Sequence, residues 1–147
     1  MKNTYQKIID YLINNKISYS YKDLKKECDV LFTSWRSDID SILAASDIVC
    51  LTSLNEGTPV SIIESMASET ASISTNVGGV SDIIENNFSG IVCSKEVKDY
   101  GENLLKIIDD DDLRLKLAKN GKSISLENYN YNRLVSNVES IYQKIIK

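Results

Sequence analysis

The stretch SDIVCLTSLNEGTPVSIIESMA, Ser46 to Ala67, carries two carboxylates, Glu56 and Glu64, with seven residues between them. Gly57 lets the backbone approach a bound group closely, and the free amides at the start of a helix opening at Pro59 point outward. Together these make an anion site suited to a phosphate or diphosphate, while carboxylates accept hydrogen bonds from sugar hydroxyls. Glu56 stands at the mouth of the loop and Glu64 about two turns into the helix, so the pair can touch different parts of one extended ligand combining phosphate and sugar. Glu64 also lies four residues after Val60 and three before Ala67, on a helical face with small apolar groups. Residue types alone leave a plainer alternative open: a solvated Glu56 and a Glu64 capped by a neighbour. Gly78 and Gly79 read either as a tight turn or as a second phosphate-binding loop.

Composition narrows the chemistry. The chain has 147 residues and no histidine, which removes Ser-His-Asp and Cys-His nucleophile pairs and the common zinc sites. No metal site is expected, and base chemistry falls to carboxylates or to another chain. The formal net charge of -4 lacks the basic footprint of a nucleic-acid binder. Cys28, Cys50 and Cys93 are isolated, the latter two inside apolar runs, and read as reduced core residues. The opening MKNTYQKIIDYLINNK has no long apolar stretch, and no segment approaches the ~20 apolar residues of a membrane span. A cytoplasmic protein is expected.

Positioning such a site requires strands that feed loops into helices. Residues 4–15 carry helical apolar spacing, Asp29–Thr33 is a short strand-like run, and Ile39–Ala45 a short helix. Asp47–Thr52 is apolar in succession, as suits a strand buried on both faces. A helix from Pro59 to about Ser68, capped by Thr58, leads to a strand at Ala71–Thr75. A short helix at Ser81–Glu85 and a strand from Gly90 follow. Helical patterns then run over Val97–Ile108, Leu113–Lys119 and Tyr131–Ile146, with Asp109–Asp112 as an acidic turn opening the second. Strands alternating with helices predict an α/β fold, a Rossmann-like parallel sheet with helices on both faces. In such sheets ligands sit outside the carboxyl ends of the strands, where the loops 53–58 and 76–79 both open.

These segments resemble a family. AASDIVCLTS with its aspartate, EGTPVSIIESMA with its paired glutamates, STNVGGVSDII and NFSGIVC look like the carboxyl-terminal, nucleotide-sugar-binding half of a family 4 glycosyltransferase of GT-B fold. The likeness runs from about Val30 to Cys93, and the later helices through Tyr142 resemble the family's tail. It implies that Glu56 is the catalytic glutamate facing the transferred sugar, with Gly57 and Thr58 as backbone donors near that sugar and the diphosphate. Glu64 would bind the ribose hydroxyls. Gly78 and Gly79 would belong to a neighbouring loop closely packed at the site, and Ser34, Trp35 and Arg36 would pass near the nucleobase. The chain departs from the usual pattern at Ser34 and Glu69, where glycine is usual, and at Ala71, where proline is.

The same resemblance implies the partners: a UDP-sugar or GDP-sugar donor as substrate rather than a resident cofactor, and a glycan or lipid-linked acceptor. The reaction would be retaining and would not need a metal as Lewis acid. A lipid-linked acceptor would place the protein at the inner face of the membrane. Residues 1–147 would form a single partial domain, with carboxyl-terminal helices from about residue 96. The acceptor-binding half and the first strands, which bring an arginine and a lysine to the diphosphate, have no counterpart here; Lys22, Lys25 and Lys26 read as solvated surface. The expectation is therefore a donor domain inactive alone, working with a separate amino-terminal chain or self-associating. The alternative is a non-catalytic binding or assembly domain built on that fold.

Overall fold

The computed structural model describes residue 31 and residues 33–146. The expected helix at 4–15, Cys28, Lys22, Lys25, Lys26 and most of the expected strand at 29–33 lie outside the described residues. Leu31 and Thr33 of that run are in no strand. The elements in chain order are α1 (Ile39–Ala44), β1 (Ile48–Leu51), α2 (Val60–Ala67), β2 (Ala71–Thr75), α3 (Val80–Ile83), β3 (Ile91–Cys93), α4 (Val97–Asp109), α5 (Asp111–Asn128) and α6 (Tyr131–Ile145).

The described strands form one parallel sheet in the order β1-β2-β3. Ile48 pairs with Ala71 and Leu51 with Ser74, then Ile73 with Ile91 and Thr75 with Cys93. The β-α-β alternation is that of a Rossmann-like fold with helices on both faces. On one face, Ala71, Ile73, Ile91 and Cys93 pack with Ile107 of α4 and Leu117 and Ala118 of α5. A second cluster joins Ile62 and Met66 of α2 to Val77, Val80, Ile83 and Ile84. Ile124 of α5 packs against that second cluster, so α5 links the two.

The most polar strand is the most buried. All of β2, ASIST, is buried, and its alternation divides the work. Ala71 and Ile73 enter the apolar cluster, whereas Ser72 faces α2 and meets Ser65 Oγ at 2.8 Å. A small side chain on that face lets the helix come close, and the Ser65 hydroxyl also lies 3.2 Å from the Thr70 carbonyl oxygen it bonds. The continuous apolar run of β1, expected to be buried on both faces, is instead half-buried and lies at the edge of the described sheet. Cys50, expected in the core, is exposed, whereas Cys93 is buried and its thiol is pushed up to about 11 by burial.

Several boundaries differ from expectation. Helix α2 starts one residue late, with Pro59 as its N-cap and no side-chain cap, so Thr58 does not cap it. The short helix expected at 81–85 spans Val80–Ile83. Helix α5 runs to Asn128, far past Lys119, because Leu117, Ala118, Gly121 and Ser125 bury a face that continues along it. Its start behaves as charge suggests: the Asp110 side chain accepts the Leu113 amide at 2.9 Å.

The end of α2 accounts for one departure from the family pattern. Glu69 N–H donates to the Met66 carbonyl at 3.1 Å and Thr70 N–H to the Ser65 carbonyl at 3.0 Å, the paired bonds of a Schellman motif. That motif places Glu69 in the left-handed region, at φ 58, where glycine is the ordinary residue. Ser34, the second position of this kind, has φ 56. The chain thus keeps the glycine backbone with other side chains. At position 71, the first residue of β2, a proline and an alanine are both compatible with a strand start.

Glu69 also pairs with Lys122 at 2.7 Å, but both side chains are close to half exposed, so the pair is worth little. Glu69→Gly is therefore expected to stabilise the fold by about 0.5 to 1 kcal/mol, since relief of left-handed strain exceeds the lost ion pair. Urea denaturation measures the change, and a lower midpoint in the variant would refute it.

Candidate functional site

Three loops leave the carboxyl ends of β1, β2 and β3 on one edge of the sheet, and hydrogen bonds tie them together. The buried Thr75 hydroxyl donates to the Ser53 carbonyl at 2.6 Å. Gly79 N–H donates to the Gly57 carbonyl at 3.0 Å. Lys95, just beyond β3, donates its ammonium to the Leu54 carbonyl at 3.3 Å. Its own loop is held by the Ser94 amide, 2.6 Å from the Asp99 carboxylate, and that bond keeps the Asp99 carboxyl below the usual range.

Gly78 and Gly79 make the close contact possible. A Cβ on Gly78 would lie 1.7 Å from the Glu56 carbonyl oxygen, and one on Gly79 would lie 2.4 Å from that of Gly57. Gly78 also has φ 50. The two glycines thus serve as a floor beneath the 53–58 loop, since any side chain would lift it. Gly57 is the opposite case: it is exposed, and a Cβ there would meet nothing within 4 Å. Its lack of a side chain serves no internal packing and leaves the backbone accessible from outside.

Glu56 is half-buried and receives the Ser53 hydroxyl on Oε1 at 2.5 Å. Glu64 sits about one turn beyond Val60 rather than two. It is exposed, as are Val60 and Ala67 beside it, while Ile62, Ser65 and Met66 occupy the inner face of α2. The apolar groups flanking Glu64 therefore belong to an outer surface. Its carboxylate has no hydrogen-bond or ion-pair partner among the described residues.

The structure thus brings Glu56, Gly57, Gly78 and Gly79 into contact, with Thr58 exposed next in the chain and Glu64 on the adjoining helix surface. Trp35 and Arg36 are not tied to them. Trp35 is 93% exposed, and Arg36 holds Asp38 through its Nε at 2.8 Å and its Nη2 at 2.5 Å. The Arg36 guanidinium keeps the Asp38 carboxyl below its ordinary range. Ser53, Thr75 and Lys95 were not singled out from sequence. The spacing Ser-x-x-Glu at 53–56, familiar from helix capping, was the signal that could have marked Ser53.

Helix α6 ends the described chain with an unburied apolar stripe: Tyr131, Leu134, Val138, Ile141, Tyr142 and Ile145 are all exposed. Among the described residues no helix is long and apolar enough to cross a membrane.

Residues 14–124 match the profile of the family described as glycosyl transferases group 1. Among curated proteins, an Escherichia coli UDP-Gal:alpha-D-GlcNAc-diphosphoundecaprenol alpha-1,3-galactosyltransferase is 28% identical over 87% of this chain and 33% of its own length. A Campylobacter jejuni N,N'-diacetylbacillosaminyl-diphospho-undecaprenol alpha-1,3-N-acetylgalactosaminyltransferase is 34% identical over 76% of this chain and 30% of its own. The chain spans about a third of the length of these relatives. Among solved structures, the carboxyl-terminal domain of a glycosyl transferase group 1 family protein from Francisella tularensis superposes with a TM-score of 0.65 at 29% identity, covering 75% of this chain and 60% of that one. Anabaena HepE in complex with UDP shares the fold with a TM-score of 0.77 at 21% identity, over 83% of this chain and 34% of its own.

Proposed function

Because the chain belongs to the group 1 glycosyl transferases, we propose that it holds a nucleoside-diphosphate sugar at the carboxyl edge of its sheet, as the donor-binding part of a retaining glycosyltransferase. The observation that carries this reading is the 53–58 loop, which rests on Gly78 and Gly79 and leaves the Gly57 backbone open to an incoming group. In this reading the diphosphate lies against the backbone of Gly57 and Thr58 and the amino terminus of α2, where unpaired amides and the helix dipole favour negative charge. Glu64, exposed and without a partner among the described residues about one turn along the same helix, accepts the ribose hydroxyls. Glu56 faces the sugar.

The acceptor hydroxyl attacks the anomeric carbon and the nucleoside diphosphate leaves, with configuration retained. This chain's share is to place the sugar against Glu56 and to stabilise the departing diphosphate through fixed amides. Lys95, held at the same edge, is the described cation nearest in the hydrogen-bond network to that loop. In the two-domain GT-B plan the acceptor sits on the other domain, so this chain by itself binds donor without transferring it. The E. coli and C. jejuni relatives carry undecaprenol-linked diphosphates in their names, which supports a lipid-linked acceptor and a place at the inner membrane face.

A second reading, a non-catalytic binding or assembly domain, is favoured by one observation, the exposed apolar stripe of α6. Calorimetric titration of the full chain with UDP, GDP, UDP-galactose and GDP-mannose separates the two. Saturable binding of one base, with Glu56→Gln weakening the sugar-bearing ligand more than the bare diphosphate, is the expected result. No binding at about 1 mM ligand, equivalent to about -4 kcal/mol, by a folded sample would leave the second reading.

A further inference from the structure

The Glu56 carboxylate is held by a chain of contacts that begins in the buried sheet. The Thr75 hydroxyl, at the end of the central strand, fixes the Ser53 carbonyl at 2.6 Å, and the Ser53 hydroxyl reaches Glu56 Oε1 at 2.5 Å. Thr75 is 6% exposed, so its hydroxyl has given up water for this bond and its position is set by the strand pairing with Cys93. The other oxygen of Glu56, Oε2, has no protein partner among the described residues. One carboxylate oxygen is therefore committed to the protein and the other is left for a ligand.

We propose that Ser53 is a positioning residue for Glu56, which sets how strongly the site prefers a sugar-bearing nucleotide over the bare nucleoside diphosphate. This rests on the reading of Glu56 given above. A glutamate on a loop has three rotatable side-chain bonds, and without a fixed partner its carboxylate spreads over several rotamers. Ser53 selects one of them before the ligand arrives, so the ordering cost is not met at binding. The serine acts through the carboxylate and does not itself need to touch the ligand. Its hydroxyl donates to an oxygen that would otherwise be free to turn away, and Thr75 keeps the serine backbone from following.

The consequence is selective. The contacts assigned to the diphosphate come from Gly57, Thr58 and the start of α2, which do not depend on the Ser53 hydroxyl. Loss of that hydroxyl is therefore expected to spare the nucleoside diphosphate and weaken only the ligand that carries a sugar. A purely structural role for Ser53 would weaken both alike, since a distorted loop would displace Gly57 together with Glu56.

The test is calorimetric titration of the full chain and of Ser53→Ala, Ser53→Thr and Glu56→Gln with UDP and UDP-galactose, or with GDP and GDP-mannose if guanosine is the base bound. In Ser53→Ala the ratio of affinities, sugar-bearing ligand over bare diphosphate, is expected to fall about fivefold, the scale of one ordinary hydrogen bond net of water. Bare diphosphate affinity is expected to stay unchanged, which also reports that the loop is folded. Ser53→Thr, which keeps the hydroxyl, is expected to restore the ratio. An unchanged ratio in Ser53→Ala while Glu56→Gln lowers it overturns the Ser53 role alone, as does an equal loss for both ligands. An unchanged ratio in Glu56→Gln overturns the assignment of Glu56 and the present inference with it. Absence of binding by the unaltered chain to all four ligands overturns both.

Discussion

Gly78→Ala is expected to lower the unfolding free energy by about 2 to 5 kcal/mol, the sum of left-handed backbone strain and the overpacking of a Cβ against backbone. The clash is with the Glu56 carbonyl oxygen at 1.7 Å, and a backbone atom cannot swing aside as the end of a side chain can. Relief requires the 53–58 loop to lift, which would break the Gly79 bond to Gly57 as well. Gly57→Ala is the matched control: with nothing within 4 Å of the new methyl, its stability should stay within about 0.5 kcal/mol of the original. The same Gly57→Ala chain should bind the sugar nucleotide more weakly, because the methyl occupies the surface a ligand would approach. Urea denaturation of the two variants decides the matter, and equal midpoints for Gly78→Ala and the original chain would show that the loop contact is not what the geometry indicates.

Glu64→Gln is expected to weaken binding of the nucleoside diphosphate and of its sugar conjugate alike by about 1 to 3 kcal/mol, the scale of a lost hydrogen bond to a charged acceptor. Stability should not change, because the carboxylate is exposed and no described residue pairs with it. That separation makes the substitution a clean probe. Titration of the full chain with both ligands measures it, and equal affinity in the variant would remove the ribose-binding role. The contrast with Glu56→Gln, which should affect chiefly the sugar-bearing ligand, divides the extended ligand between the two carboxylates.

The glycine departures bear on how far function has drifted. Glu69 and Ser34 both have positive φ, so the backbone that glycine would favour is built without it. The Schellman bonds at Glu69 and Thr70 are intact. These positions therefore affect stability by a modest amount and do not argue against a working donor site. The outer face of α2 is consistent with this, since Val60, Glu64 and Ala67 are exposed together beside the loop.

The β-α alternation, the strands at 47–52, 71–75 and from Gly90, and the opening of the 53–58 and 76–79 loops on one edge are all legible in the sequence. Those features follow from apolar runs, turn residues and the handedness of parallel connections, all of which are local or general. Which strand is central depends on how the helices pack. ASIST is more polar than IVCL, yet it is fully buried: Ser72 meets Ser65 and the Thr70 carbonyl, and Ser74 donates to the Thr75 carbonyl, and the contact with Ser65 is invisible before α2 is laid on the sheet. Thr58 has the right residue type for a cap and caps nothing, whereas the Ser53 hydroxyl binds Glu56. A hydroxyl finds its acceptor through the path of the folded loop, and that path is set by Thr75 at the end of β2 and by Gly78 and Gly79 just after it.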